Sequence, residues 1–174
     1  NSGVVALQNV NFTLKKGQRM AIMGKTASGK TTIAELLSRM FDVTEGQILI
    51  DGKDISQHNL SIIRDRISCV PQDVFLYSDT VAANIAFGKP DATMDEIQMY
   101  AEFASVKDDI EKLPEQFETM VGERGVTLSG GQKQRISIAR AFIKKPDIVI
   151  LDDALSAVDT STEQSILSFF DHSL

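Results

Sequence analysis

Three short stretches of the chain combine residue types and spacings suited to holding or moving charge. Gly24-Lys25-Thr26-Ala27-Ser28-Gly29-Lys30-Thr31 fits the pattern G-x-x-x-x-G-K-[ST], with Thr32 following in the first turn of an expected helix. Glycines let the backbone curl so that several N–H groups converge on one anion, and a helix start adds its positive end. In such a loop Lys30 is placed to reach the outer phosphates of a nucleotide and the Thr31 hydroxyl to ligate Mg2+. Asp152 and Asp153 follow the apolar run Ile148-Val149-Ile150-Leu151. The first of two carboxylates at a strand end can hold Mg2+ through its water shell, and the second can orient or deprotonate an attacking water. Leu128-Ser129-Gly130-Gly131-Gln132 stands before a helical pattern, with Ser129 a good N-cap and the glycines leaving helix N–H groups open. Those residues alone describe a second anion-binding end and an ordinary capped helix equally well.

The elements that position these residues alternate. Val10, Phe12 and Leu14 have the period of a half-buried strand, and Arg19 to Met23 reads as a buried strand ending at Gly24. Ile33, Leu36, Leu37 and Met40 then recur at helical spacing. Gln47 to Ile50 reads as a strand, Asp51-Gly52 as a hairpin turn, and Ile67 to Val70 as a strand closed by Pro71. Between about Asp73 and Leu128 the apolar spacing is mainly helical. Ile136, Ala139 and Ile143 mark a helix that ends before Pro146. Ile148 to Leu151 reads as a central parallel strand buried on both faces, and Thr160 to about Phe170 as a helix. Strands alternating with helices imply a mostly parallel α/β sheet, whose ligands sit at the carboxyl ends of the strands, where Gly24 and Asp152 fall.

Composition narrows the partners. A net charge of -6 and a pI of about 4.9 argue against a nucleic-acid binder, because polyanions reward clustered Lys and Arg. Cys69 is the only cysteine, so no intrachain disulfide can form and a reducing compartment is expected. No apolar run is long enough to span a bilayer and no signal peptide is recognisable, so a membrane role is expected to come through another segment or partner.

Taken together the motifs resemble the ABC transporter ATPase family over essentially the whole chain. Gly24–Thr31 looks like its Walker A loop, Gln72 in Val70-Pro71-Gln72-Asp73 like the Q-loop glutamine, Leu128–Gln132 like the signature, Leu151-Asp152-Asp153 like Walker B, and Ser156-Ala157-Val158-Asp159 like the D-loop. The resemblance implies a P-loop NTPase (RecA-like) core at residues 1–72 and 134–174, with a small antiparallel β lobe near the N-terminus and an inserted helical lobe at 73–133. It implies ATP and Mg2+ as cofactors: the loop residues Gly24 to Thr32 on phosphate, Thr31, Gln72 and Asp152 on Mg2+, with Gln72 also contacting the attacking water, and Lys30, Gln72 and Asp153 in catalysis. Two such domains pack head to tail in this family, so Ser129, Gly130, Gly131 and Gln132 would serve the partner's nucleotide.

Thr119 to Gly125 and Asp73 to Val81 resemble exporter-type domains, in which Glu123 and Arg124 lie near the coupling helices of the membrane domain and Phe75, Leu76 and Tyr77 supply apolar anchors or plain core packing. That places the domain on the cytoplasmic face of a membrane. The rivals are a soluble ABC ATPase and a weakly hydrolysing, ATP-gated regulatory subunit. The second rests on Asp153, which stands where the family usually has glutamate. An aspartate carboxylate reaches about 1.5 Å less far, so slow hydrolysis and a heterodimer with a competent partner are expected. The family's adenine-stacking aromatic is expected upstream of this segment and its switch histidine beyond the D-loop. His58 and His172 match neither and read as surface residues.

Overall fold

The computed structural model describes residues 5–122, 126–155, 158, 160, 163 and 164. They form two compact units, one up to Arg64 and one from Asp65 onward.

In the first unit, helix α1 (Lys30–Leu37) follows the glycine-rich loop. Strands β1 (Leu49–Ile50) and β2 (Lys53–Asp54) form an antiparallel hairpin, with Leu49 opposite Asp54 and Ile50 opposite Lys53. Its turn is the expected Asp51-Gly52, at φ 52° and 77°, the paired left-handed geometry that fits the twist of a two-residue hairpin. Helix α2 (Leu60–Arg66) leads into the second unit.

Two strand expectations fail here. Val10 to Leu14 and Arg19 to Met23 carry no ladder, and Ile22 is 41% and Met23 91% exposed. A strand is made by hydrogen bonds from a neighbour, not by its own apolar content, and neither segment has such a neighbour among the described residues. His58 also departs from expectation: it is half-buried, because Arg39 Nη1 donates to its carbonyl at 2.9 Å and draws the turn inward.

In the second unit, β3 (Ile67–Val70) and β4 (Ile148–Leu151) pair in parallel, Ile67 opposite Ile148 through Val70 opposite Leu151. Parallel neighbours need a long crossover, and here it carries α3 (Val81–Ala86), α4 (Met94–Phe103), α5 (Lys107–Glu111) and α6 (Gly130–Phe142). All four residues of β4 are only partly buried, a correction to the expected strand buried on both faces; β3 is its one partner among the described residues. Thr160, Glu163 and Gln164 lie in helical backbone; the rest of the helix expected over 160–170 lies outside the described residues.

Helix α6 is the spine of this unit. It buries Ile136, Ile138, Ala139 and Phe142 against Val81 and Ile85 of α3 and Ile97 and Ala101 of α4. It is also tied to β3, since Ser68 Oγ donates to Ala141 O at 2.6 Å. Arg135 of α6 pairs with Asp109 of α5. The chain after α3 passes so close that a Cβ on Gly88 would stand 2.3 Å from Arg140 O and 3.1 Å from Ile143 Cγ2. Gly88→Ala is therefore expected to destabilise the protein by about 1–3 kcal/mol, read as a lower midpoint of urea unfolding at unchanged m. Among the described residues no helix is long and apolar enough to cross a membrane.

Candidate functional site

The glycine-rich loop has the local geometry its sequence calls for. Ser28 N donates to Lys25 O at 3.2 Å, closing a turn, and Ala27 and Gly29 take φ of 62° and 89°. Gly29 occupies the cap position of α1 with no side-chain cap, so the helix presents its first N–H groups without a side-chain acceptor. Space requires glycine at position 29, whereas at Gly24 only the Ser28 hydroxyl would have to turn aside. A Cβ on Gly24 would meet Ser28 Oγ at 2.6 Å, and one on Gly29 would meet Ala6 O at 2.7 Å. Lys30 folds back so that Nζ donates to Gly24 O and Lys25 O, each at 2.9 Å. The loop thus closes round its own ammonium. Ala27, Ser28, Gly29, Lys30, Thr31 and Thr32 line a cavity of about 280 Å³, while Lys25 and Thr26 stand exposed.

A second anion-ready end lies at the start of α6. Ser129 Oγ accepts from Gln132 N at 3.2 Å and Gln132 Oε1 accepts from Ser129 N at 2.9 Å, a complete capping box. The Gln132 side-chain oxygen is thereby committed to the cap. Gly130 differs from Gly24 and Gly29, because a Cβ there would have nothing within 4 Å. No atom of the described residues asks for glycine at that position.

The third group gathers at the carboxyl ends of β3 and β4. Asp152 N donates to Val70 O at 3.0 Å, one step beyond the ladder. Gln72 and the pair Asp152-Asp153 therefore emerge from adjacent parallel strands on one edge. Asp152 is half-buried, Asp153 and Gln72 are exposed, and Asp153 has φ of 52°. Asp153, Val158 and Glu163 help line a cavity of about 410 Å³. Ser156, Ala157, Asp159, Glu123, Arg124 and His172 lie outside the described residues.

Of the anticipated anchors, Leu76 is core at 6% exposure, whereas Phe75 and Tyr77 stand out at 62% and 40%. They form an aromatic step, Phe75 edge-on to Tyr77 at 5.3 Å and Tyr77 stacked on Phe87 at 4.4 Å. Sequence reasoning missed Asn84 and Arg140 around this step, and Gln134 at Pro71. Polar residues on a helix read as solvent-facing, and only their place among apolar neighbours at i±4, such as Ile136 below Arg140, signals otherwise.

A family profile described as ABC transporter matches residues 7–156. The chain belongs to the ABC transporter family. It is the ATPase domain of that class, with the P-loop NTPase fold. It is 56% identical over 162 residues to the multidrug resistance-like ATP-binding protein MdlA of Escherichia coli (strain K12), covering 93% of this chain and 28% of that protein. It is 48% identical over 164 residues to ATP-binding cassette sub-family B member 6 of Homo sapiens, covering 94% of this chain and 20% of that protein. Among solved structures it resembles a bacterial Atm1-family ABC exporter with ATP bound, at a TM-score of 0.88 and 46% identity over 92% of this chain and 28% of the other. The chain thus spans between a fifth and just over a quarter of the length of these relatives.

Proposed function

We propose that this ABC domain is one nucleotide-binding half of a membrane exporter. It works at the cytoplasmic face, in a head-to-tail pair with a second ABC domain, attached to transmembrane domains. The helical lobe at 73–133 and the core at 1–72 and 134–174 are the moving parts of that reading. The loop residues Gly24, Lys25, Thr26, Ala27, Ser28, Gly29, Lys30, Thr31 and Thr32 take the phosphates of ATP through backbone N–H groups and the Lys30 ammonium. Thr31, Gln72 and Asp152 offer only oxygen ligands, the donor set that suits Mg2+. When bound, the ion neutralises charge developing on the phosphates. Asp153 holds the place of the base and Gln72 orients the attacking water. Ser129, Gly130, Gly131 and Gln132 act on the nucleotide held by the partner's loop.

Gly130 carries this reading. Gly29 is glycine because a backbone oxygen crowds it, and Gly130 is glycine although no atom of the described residues does. A glycine of that kind fits close approach by something outside the chain, at a helix end that favours an anion. Gly130→Ala in the full-length parent is expected to move the melting temperature by less than about 1 °C and to lower Mg-ATP turnover about fivefold. A lower melting temperature with native turnover would return Gly130 to a folding role and remove the argument for a partner nucleotide.

Asp153 supports a heterodimer in which this chain's own loop holds a slow site and its signature completes a faster one in the partner. In the purified complex Asp153→Asn is expected to change turnover by less than about twofold. A large loss would make this chain's site the working one.

A further inference from the structure

Arg140 is a largely buried guanidinium that the proposed chemistry leaves without a task. Its three hydrogen bonds all go to neutral oxygens: Nε to Asn84 O at 2.8 Å, Nη2 to Asn84 Oδ1 at 2.9 Å and Nη1 to Phe75 O at 3.0 Å. The guanidinium carbon also lies 5.5 Å from the Tyr77 ring centre and 6.0 Å from that of Phe87. Asn84 is 1% exposed and extends the knot, accepting from Tyr77 N at 2.9 Å and donating to the carbonyls of Tyr77 and Thr80 at 3.0 Å. Burial pushes the guanidinium down from its usual range while leaving it charged. Taking such a charge out of water is costly, and rigid, fully directed hydrogen bonds offset that cost.

The same helix holds the same loop a second time. Gln134, 4% exposed, donates from Nε2 to Pro71 O at 3.4 Å. Helix α6 therefore grips the chain at Pro71 and at Phe75, and Gln72 stands between the two grips with its side chain exposed. The N-terminal end of α6 is the Ser129–Gln132 capping box.

We propose that Arg140 is a positioning residue: with Gln134 it clamps the Pro71–Phe75 loop to α6, so that Gln72 and the Ser129–Gly130 end of that helix move as one body. A displacement of the Phe75–Tyr77–Phe87 step then reaches both nucleotide sites that the chain serves, its own through Gln72 and the partner's through Ser129. The fork geometry matters as well as the charge. A lysine ammonium cannot span Phe75 O and both Asn84 oxygens with the planar pattern that arginine offers. The inference rests on the proposed role of Gln72 beside the attacking water.

The test uses the full-length parent assayed without a partner subunit, so that every turnover passes this chain's own Gln72. Arg140→Met is expected to lower kcat for Mg-ATP about fivefold while KM stays within about twofold, because the phosphate contacts remain and the loop drifts. In a Gln72→Ala background the same substitution should cost less than about twofold further, since the tie it breaks serves Gln72 and leaves the Ser129–Gln132 capping box of α6 in place. An equal loss in both backgrounds, or a loss carried wholly by KM, overturns the clamp. Gln134→Leu leaves Arg140 in place and should give the same kcat-only pattern; it stands in should Arg140→Met fail to fold. A fall in Gln72→Ala beside native kcat in both α6 variants rejects the clamp alone. Native turnover in Gln72→Ala rejects the role of Gln72 itself and the clamp with it.

Discussion

Lys30→Met in the full-length parent assayed without a partner is expected to lower kcat/KM for Mg-ATP by at least about a hundredfold, the scale on which loss of one preorganised charge-stabilising donor is felt. The substitution keeps the length of the side chain and removes only the ammonium. In the structure that ammonium holds two carbonyls, Gly24 O and Lys25 O, each at 2.9 Å. Without it those oxygens face the loop with no donor and oppose an incoming phosphate. The helix end of α1 still offers its N–H groups, so weak nucleotide binding persists while the outer phosphates lose their point charge. Nucleotide binding followed by fluorescence, beside steady-state turnover, separates the two effects. Turnover within tenfold of the native value would mean that the loop is not where ATP is hydrolysed.

Asp153→Glu is expected to act in the opposite direction, raising turnover of the parent assayed without a partner by about tenfold or more. One added methylene advances the carboxylate by about 1.5 Å, and an error near 1 Å at a reacting centre can cost on the order of a hundredfold. The backbone sets a counter-effect. Asp153 has φ of 52°, a region that aspartate enters more readily than glutamate. The faster variant should therefore be slightly less stable, with a melting temperature a few degrees lower at most. Gain of rate with a small loss of stability identifies a position held short of its catalytic optimum. Unchanged turnover would show that aspartate serves as the base unaided, and a pair of identical chains would become the better assembly.

The motifs were legible because each is a local device. The loop at Gly24–Thr31, the Ser129–Gln132 cap, the Asp51-Gly52 turn and the strands Ile67–Val70 and Ile148–Leu151 all depend on neighbours a few residues away or on a plain apolar run, and all stand where the sequence puts them. Arg19 to Met23 shows the limit. Its apolar content predicts burial but says nothing about which strand would hydrogen-bond to it. Arg140 and Asn84 show a second limit. Their partners lie 56 residues apart in the chain, and no periodicity brings them together. Phe75 and Leu76 are adjacent and equally apolar, yet one is exposed and the other is core, a choice made by the packing of α3 and α6.

The open space at Gly130 bears on how sequence variants of this domain should be judged. A substitution there meets no atom of the described residues. The altered protein should express, purify and melt like the original, and pass any screen that scores single chains by yield or thermal shift. On the proposed pairing with a different ABC subunit, its fault would surface only in the assembled transporter, in the turnover of a subunit whose own sequence is intact. A clinical or engineering survey that ranks variants by stability would file such a change as harmless. A survey that ranks them by output could blame the wrong gene.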